Sequence, residues 1–293
     1  MAKSKGMTFG HETKGSINAS VVTFKSEDLG EKAPDRIEPA EAMIGTRHPD
    51  SARHVVIKSD ISGTLTLEPS YAEYENILNT FFDGTGSTWT PADDTNGKQF
   101  AVVIDRGNSK VFTYPAVTVN TFKVSASENS PVEVSLECLG TTETSAGTVA
   151  AVTQASPMIM SDSTISIDAS DSGTYAEYFV TSFSIECTEN KAERFHNSLT
   201  RSSTAGGKFM CTGELGIDIN SDTWTDLFAK TGSTSIFKTR IVLTDGVTTY
   251  THTMNDCHCT SPTPTITGDD EVTPTFSFRA FADSNDEITI VKT

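Results

Sequence analysis

The sequence predicts a mainly β protein: two tandem β-sandwich or open-barrel domains, each with one flanking α-helix. Three observations carry that reading. Val, Ile, Leu and Phe alternate with polar residues in short runs along the 293-residue chain, the period-two pattern of half-buried strands. Thr and Ser are abundant, at 44 and 32 residues, and Thr suits a pleated surface with one wet face. Finally, the order of elements repeats at offsets of roughly 137–150 residues, which sets the architecture before any local detail does.

Taken in order, the N-terminal MAKSKGMTFG carries charge with no apolar core behind it, so no secretory signal is expected. Residues 26–52 hold three prolines and many acidic side chains. No regular strand is expected there, and the stretch reads as a long loop that orders against a partner. Residues 63–67, GTLTL, read as a strand. Ser70 then caps a helix, with Glu73 three residues on completing a capping box. Tyr71, Tyr74, Leu78 and Phe81 share one face of it, a core-facing stripe, and Gly84 is expected to stop it. Residues 102–105 and 111–114 flank a turn at Gly107, and residues 132–139 form the return strand after Glu128-Asn129. The first domain is assigned to residues 1–145.

Residues 141–156 are rich in Thr, Ala, Ser and Gly with no apolar period, as a linker is. The second domain, 157–293, repeats the sequence of elements. Residues 213–217 match 63–67, and LFAKTGST at 227–234 matches FFDGTGST at 81–88. Residues 241–244, Gly246, 248–252 and 272–281 follow as strand, turn, strand and return strand. Its helix is expected from a cap at Ser221, with Trp224, Leu227 and Phe228 on the buried face and Gly232 at the end.

The formal charge is −17, spread over both halves. Phosphate binding needs clustered Lys and Arg, so a DNA-clamping or sequence-reading role is excluded. No apolar run reaches the ~18 residues of a membrane helix. Five cysteines without a secretory signal read as reduced thiols in a chain made in the cytoplasm. Catalytic signatures fail one by one. Gly97-Lys98 is followed by Gln99 and Gly207-Lys208 by Phe209, where a phosphate loop needs Ser or Thr. There is no Gly-x-Ser-x-Gly elbow, and His11-Glu12 lacks its second His. Residues 93–97 and 168–173 read as acidic Gly-containing turns rather than calcium loops. His48, His54 and His196 read as solvated surface. In Cys257-His258-Cys259 the ligand types suit zinc, yet alternation puts the two thiols on one face and the imidazole on the other. Cys138, Cys187 and Cys211 stand alone in strand-like runs and read as small hydrophobes. No catalytic residue, metal site or cofactor is assigned.

A duplicated sandwich-plus-helix with a long acidic loop, a Thr/Ser-rich surface and no active site resembles the major tail tube proteins of long-tailed bacteriophages. It is similar, more narrowly, to the family in which one chain carries two tube domains. The resemblance spans roughly residues 15–285 and rests on YAEYENILNTFF with its Gly-rich exit, FAVVIDRGNSKVFTYPAVTVNTFKVS, VEVSLECLG, and the looser second copy beginning ELGIDINSDTWTDLFAKTGST. It implies rings of six domains built by three chains, stacked into a hollow tube inside the virion tail. It also implies tape-measure and tail-end proteins as partners, and genomic double-stranded DNA passing through the lumen without specific binding. The competing class is a non-catalytic tandem-sandwich binding module, an adhesin or virion-surface protein, for which Trp89 is the nearest candidate exposed aromatic.

Alternation also sorts side chains at the expected lumen. Val132, Val134, Leu136 and Cys138 take the core face of their strand, leaving Glu133, Ser135 and Glu137 on the other. Phe183, Ile185 and Cys187 likewise face in, with Ser184 and Glu186 outward. Glu133, Glu137 and Glu186 are therefore the candidate lumen-facing residues. The alternative is that they are outer surface, since alternation alone does not say which wet face is luminal.

Overall fold

Alternating runs become strands wherever one face can be buried. Phe100, Val102 and Ile104 are buried while Ala101, Val103 and Asp105 are half-exposed, and Phe237, Thr239, Ile241 and Leu243 repeat the pattern. The computed structural model describes residues 13–17, 20–31, 35–37, 55–58, 60–92, 98–107, 110–145, 147–149, 155–195, 201, 203–217, 227–230, 235–260, 274–282 and 286–293. The first half runs β1 (Thr13–Ile17), β2 (Ser20–Glu27), β3 (Gly30–Glu31), β4 (Asp35–Ile37), β5 (Val55–Lys58) and β6 (Ile61–Leu67). It continues through α1 (Tyr71–Leu78), β7 (Phe82–Thr85), β8 (Thr88–Pro91), β9 (Phe100–Asp105), β10 (Val111–Ser127) and β11 (Glu133–Gly140).

The second half runs β12 (Ser163–Asp168), β13 (Ala176–Glu177), β14 (Val180–Thr188), β15 (Ala192–Arg194) and β16 (Ser203–Ala205). β17 (Met210–Ile217), β18 (Phe237–Thr244), β19 (Thr249–Cys259), β20 (Thr275–Ala280) and β21 (Ile288–Lys292) complete it.

The pairing order repeats as the sequence does. In the first half β1, β9, β10, β11, β6 and β2 are successive antiparallel neighbours, and β2 returns to β1, closing a barrel. In the second, β12, β18, β19, β20, β17 and β14 follow in the same order. The two are hydrogen-bonded to each other. β10 is 17 residues long; its start pairs with β9, and after an irregularity at Asn120 its residues 121–127 pair with β14. At the C-terminus β21 pairs with both β19 and β8, so the β7–β8 hairpin of the first half extends a sheet of the second.

The capping box forms at α1: Glu73 accepts hydrogen bonds from the Ser70 amide at 2.9 Å and the Ser70 hydroxyl at 2.7 Å. Tyr71, Tyr74, Ile77 and Leu78 are its buried face. The helix ends at Leu78 with Asn79 as its cap, earlier than the sequence suggests. Gly84 lies inside β7 instead of stopping the helix, and a Cβ there would stand 2.7 Å from Trp89 Nε1. Close approach of the indole is what that position requires.

Residues 26–52 are more regular than expected. β2 extends to Glu27, β3 and β4 fall inside the stretch, and Leu29 is fully buried. Short pairings to β6 and β5 satisfy a backbone that composition alone marks as loop. Residues 38–52 lie outside the described set. So does most of the expected second helix, with Ser221, Trp224 and Gly232. Its described end is a 3₁₀ turn, Phe228–Lys230, with Leu227 and Phe228 buried as expected and the Phe228 ring 5.4 Å from that of Phe276. The linker begins bound: Thr144 and Thr113 exchange backbone hydrogen bonds at 3.0 and 2.8 Å. No described helix is long and apolar enough to cross a membrane.

Candidate functional site: the polar face of the shared sheet

Strands β6, β11, β10, β14, β17 and β20 lie side by side in one sheet across both halves. One face is core. Val134, Leu136, Cys138, Phe122, Val124, Phe183, Ile185, Cys187, Leu215 and Phe276 are all buried on it. Directly opposite residues share a face, so the register assembles the other side unambiguously. Glu137 and Ser135 sit beside Thr64 and Thr66 on one flank and Thr121 and Lys123 on the other. Lys123 faces Glu186, Glu186 faces Thr212, and Thr212 faces Arg279. Ser125 stands between Glu133 and Ser184, and Ser184 faces Glu214.

The three glutamates chosen from alternation therefore stand on one continuous face of three adjacent strands, although β14 is remote from β11 in sequence. What alternation missed is their company. Lys25 reaches Glu133 at 2.6 Å and Glu68 at 2.9 Å. Lys123 lies 3.6 Å from Glu186 across the β10–β14 seam. Glu137 accepts from the Thr121 hydroxyl at 2.7 Å and the Asn120 amide at 3.3 Å. Hydrogen bonding to Glu133, then to Glu68, raises the pKa of Lys25 above the ordinary lysine value. A shallow groove of about 400 Å³ crosses this face, lined by Lys25, Lys123, Glu133, Ser184 and Glu214 among others. Such surface pairs contribute little to stability, about 0–1 kcal/mol each. Their effect is on the field: the face alternates in sign instead of being uniformly acidic.

The remaining candidates resolve differently. Trp89 is buried, with Nε1 donating to Asn79 Oδ1 at 2.8 Å, so the binding-module reading loses its exposed aromatic. Cys257 is buried, which pushes its thiol pKa well up, and Cys259 is half-buried. His258 packs edge-on against Phe281 at 5.2 Å. Among the described residues no group of His, Cys, Asp and Glu could hold a metal ion. Asp168 organises its turn, accepting the N–H groups of Ser170, Ser172 and Gly173 at 3.3, 3.1 and 2.6 Å. Residues 93–97, His11, His48, His54 and His196 lie outside the described set. Cys187 and Cys211 do not stand alone: they face each other across β14 and β17 with Sγ atoms 3.5 Å apart. The signal was present, since both occupy core positions of alternating runs, but their pairing depends on register.

A sheet shared by both halves of the chain, with one buried face and one hydroxyl- and charge-lined face, defines a mainly β protein. The phage tail tube protein family matches residues 9–280, and the chain belongs to that family, whose members are structural components of the virion tail. A search of curated proteins returns no match.

Proposed function

We propose that this chain polymerises edge to edge into rings that stack into the hollow tail tube through which genomic DNA reaches the host cell. Two tube domains, residues 1–145 and 157–293 joined by the linker at 141–156, make each chain a third of a pseudo-sixfold ring. The chain does no catalysis in this reading. One observation carries it: residues 121–127 of β10 pair by main chain with residues 182–188 of β14. One repeat is thereby added to the next as a strand is added to a sheet, and the same addition between chains closes a ring. Its counterpart edge in the first half is 26–31, because β2 and β3 lie on β6 as β14 lies on β17. Ser26 faces Thr66 and Gly30 faces Ser62, as Ser182 faces Gly216 and Glu186 faces Thr212. Side chains rather than a described strand cover that edge, Arg106 and Tyr114 both donating to Leu29 O at 2.6 and 2.9 Å.

The polar face of the shared sheet is the proposed lumen lining. Glu133, Glu137, Glu186 and Glu214, alternating with Lys25, Lys123 and Arg279 among hydroxyls, offer phosphate no basic track on which to lodge. Negative-stain microscopy and sedimentation of the purified chain test the proposal. Hollow rings of three chains, or tubes of them, are expected. A stable dimer or tetramer without rings overturns it, and a ring of six chains overturns the stoichiometry.

A further inference from the structure

One edge of β14 meets the first half at the β10–β14 seam, and its other edge carries a contact between sulfurs. Cys187 on β14 and Cys211 on β17 stand directly opposite each other, both fully buried, with Sγ atoms 3.5 Å apart. The type of pair follows from the backbone. Thr181 O accepts from Glu128 N and Glu189 N donates to Asn120 O, each at 2.9 Å. Odd-numbered residues of β14 therefore turn their main-chain groups toward β10. Toward β17, Cys187 and Cys211 form a non-hydrogen-bonded pair, the kind whose Cα atoms stand about 4.5 Å apart. That separation lies inside the ~4.4–6.8 Å a disulfide bridges. Cys138 and Cys257 are placed differently: each thiol donates to a carbonyl of its own strand, Leu136 O and Met254 O, at 3.6 Å.

The position gives the pair a mechanical consequence. Cys187 faces Phe122 across the seam, and Cys211 faces Ala280 on β20. The chain between the two cysteines leaves the sheet, forms the β15–β16 hairpin and grips the first half twice. Lys191 donates to Asn120 Oδ1 through its amide at 2.8 Å and to Val119 O through Nζ at 2.7 Å. Arg201, itself buried, donates from Nη1 to Gly140 O at 2.6 Å and Ile61 O at 3.2 Å. A bond between the sulfurs closes that segment into a loop at its base, and loop closure restricts the unfolded chain. The pair also takes up oxidation without enlarging a packed core. A solitary buried thiol gains oxygen atoms, whereas two thiols in contact lose two hydrogens.

We propose that Cys187 and Cys211 are an oxidation site, at which a small hydroperoxide forms a cross-strand disulfide that ties β14 to β17 beside the seam. One sulfur attacks a peroxide oxygen; the O–O bond breaks, a sulfenic acid forms, and the other oxygen leaves as water with the thiol proton. The second sulfur attacks the sulfenic sulfur; the S–S bond forms, the S–O bond breaks, and the hydroxyl leaves as water with the second proton. Two thiols and one peroxide become one disulfide and two waters, the sulfurs oxidised and the peroxide reduced. Burial lifts the Cys187 pKa well above the ordinary thiol value, so the reaction is slow and needs an oxidant close to water in size or a brief local opening of the sheet. A tail component leaves the reducing interior of the cell with the particle, and time in an oxidising medium is then available.

The test treats the full chain, reduced beforehand, with hydrogen peroxide and maps unreduced peptides by mass spectrometry, with folding followed by circular dichroism. A crosslink between Cys187 and Cys211, lighter by two hydrogens than the free thiols, is expected in a chain that keeps its fold. The oxidised chain should melt above the reduced one, and dithiothreitol should erase the difference. C211S should form no crosslink, gain oxygen at Cys187 instead, and melt below its untreated form. Oxygen added to Cys187 or Cys211 in the wild type overturns the proposal. So does oxidation of the half-buried Cys259 while both of these thiols stay free. A crosslink that leaves the melting temperature unchanged overturns the tie across β14 and β17. Should C211S misfold, the wild-type peptide map decides by itself, and none of these outcomes depends on whether rings form.

Discussion

The Tyr74 hydroxyl and His252 Nε2 share a hydrogen bond of 2.7 Å between residues 178 apart in sequence. Tyr74 belongs to α1 of the first half and His252 to β19 of the second. Around them the Tyr74 and Tyr250 rings meet edge to face at 5.0 Å, and Tyr250 donates to Tyr71 O at 3.1 Å. The first half's helix is thereby part of the second half's core, and no proton can enter the pair without charging a buried ring.

That arrangement sets an acid limit. Burial lowers the His252 pKa from 6.5 to about 4, so the folded chain keeps it neutral while the unfolded chain protonates near 6.5. The contribution is complete above pH 6.5 and is lost as pH falls toward about 4, amounting to about 3 kcal/mol by linkage. Denaturant titrations of wild type and His252→Gln across that window should show the wild type losing this increment and the variant a flatter profile. Equal slopes refute it.

Phe82 is the second test of the same layer. It is fully buried, with its ring 5.0 Å from Phe81 and 5.2 Å from Phe122, both edge to face. Phe82→Ala leaves a cavity over the β10–β14 seam, and such changes cost ~3–5 kcal/mol. Thermal unfolding should shift down accordingly. Near-native melting would mean the seam repacks around the missing ring.

Much of this was legible in the sequence, and the failures share a cause. Strand alternation and the buried face of α1 are local patterns, and both survive in the fold. The Cys187–Cys211 contact, the burial of Trp89 and the partnering of Glu137 and Glu186 depend on which strands become neighbours, and a one-residue change of register would alter them all. Residues 26–31 misled for a different reason. Acidic, proline-flanked composition reads as loop, but Gly30 and Glu31 need only two residues' pairing with β6 to become strand.

Composition marks residues 26–52 as one loop, but β2, β3 and β4 occupy part of the stretch. Deleting all of 26–52 removes Leu29 and the pairing of β3 with β6, so that variant should unfold the first barrel. Deleting 38–52 alone spares β2, β3 and β4, and should leave a folded chain impaired in ring assembly. Circular dichroism separates the two outcomes. Normal assembly by the shorter deletion would refute a role in contacts between copies.

The lumen is tested by changing its sign. Glu137 and Glu186 flank Thr121 and Lys123 on neighbouring strands, and both project from the polar face, so replacing them perturbs no core contact. The double variant Glu137→Lys, Glu186→Lys leaves Glu133 and Glu214 against Lys25, Lys123, Arg279 and two new lysines. Repeated around each ring and along the tail, that makes a basic channel, which gains counterion-release contacts with every passing phosphate. Tubes should assemble normally while DNA delivery slows or stalls, most severely at low salt, where screening is weakest. Lys123→Gln changes the same face in the opposite direction and should leave delivery intact. If assembled particles carrying the double change infect as well as wild type at low salt, the polar face lies outside the channel, and the lining must come from another surface of the chain.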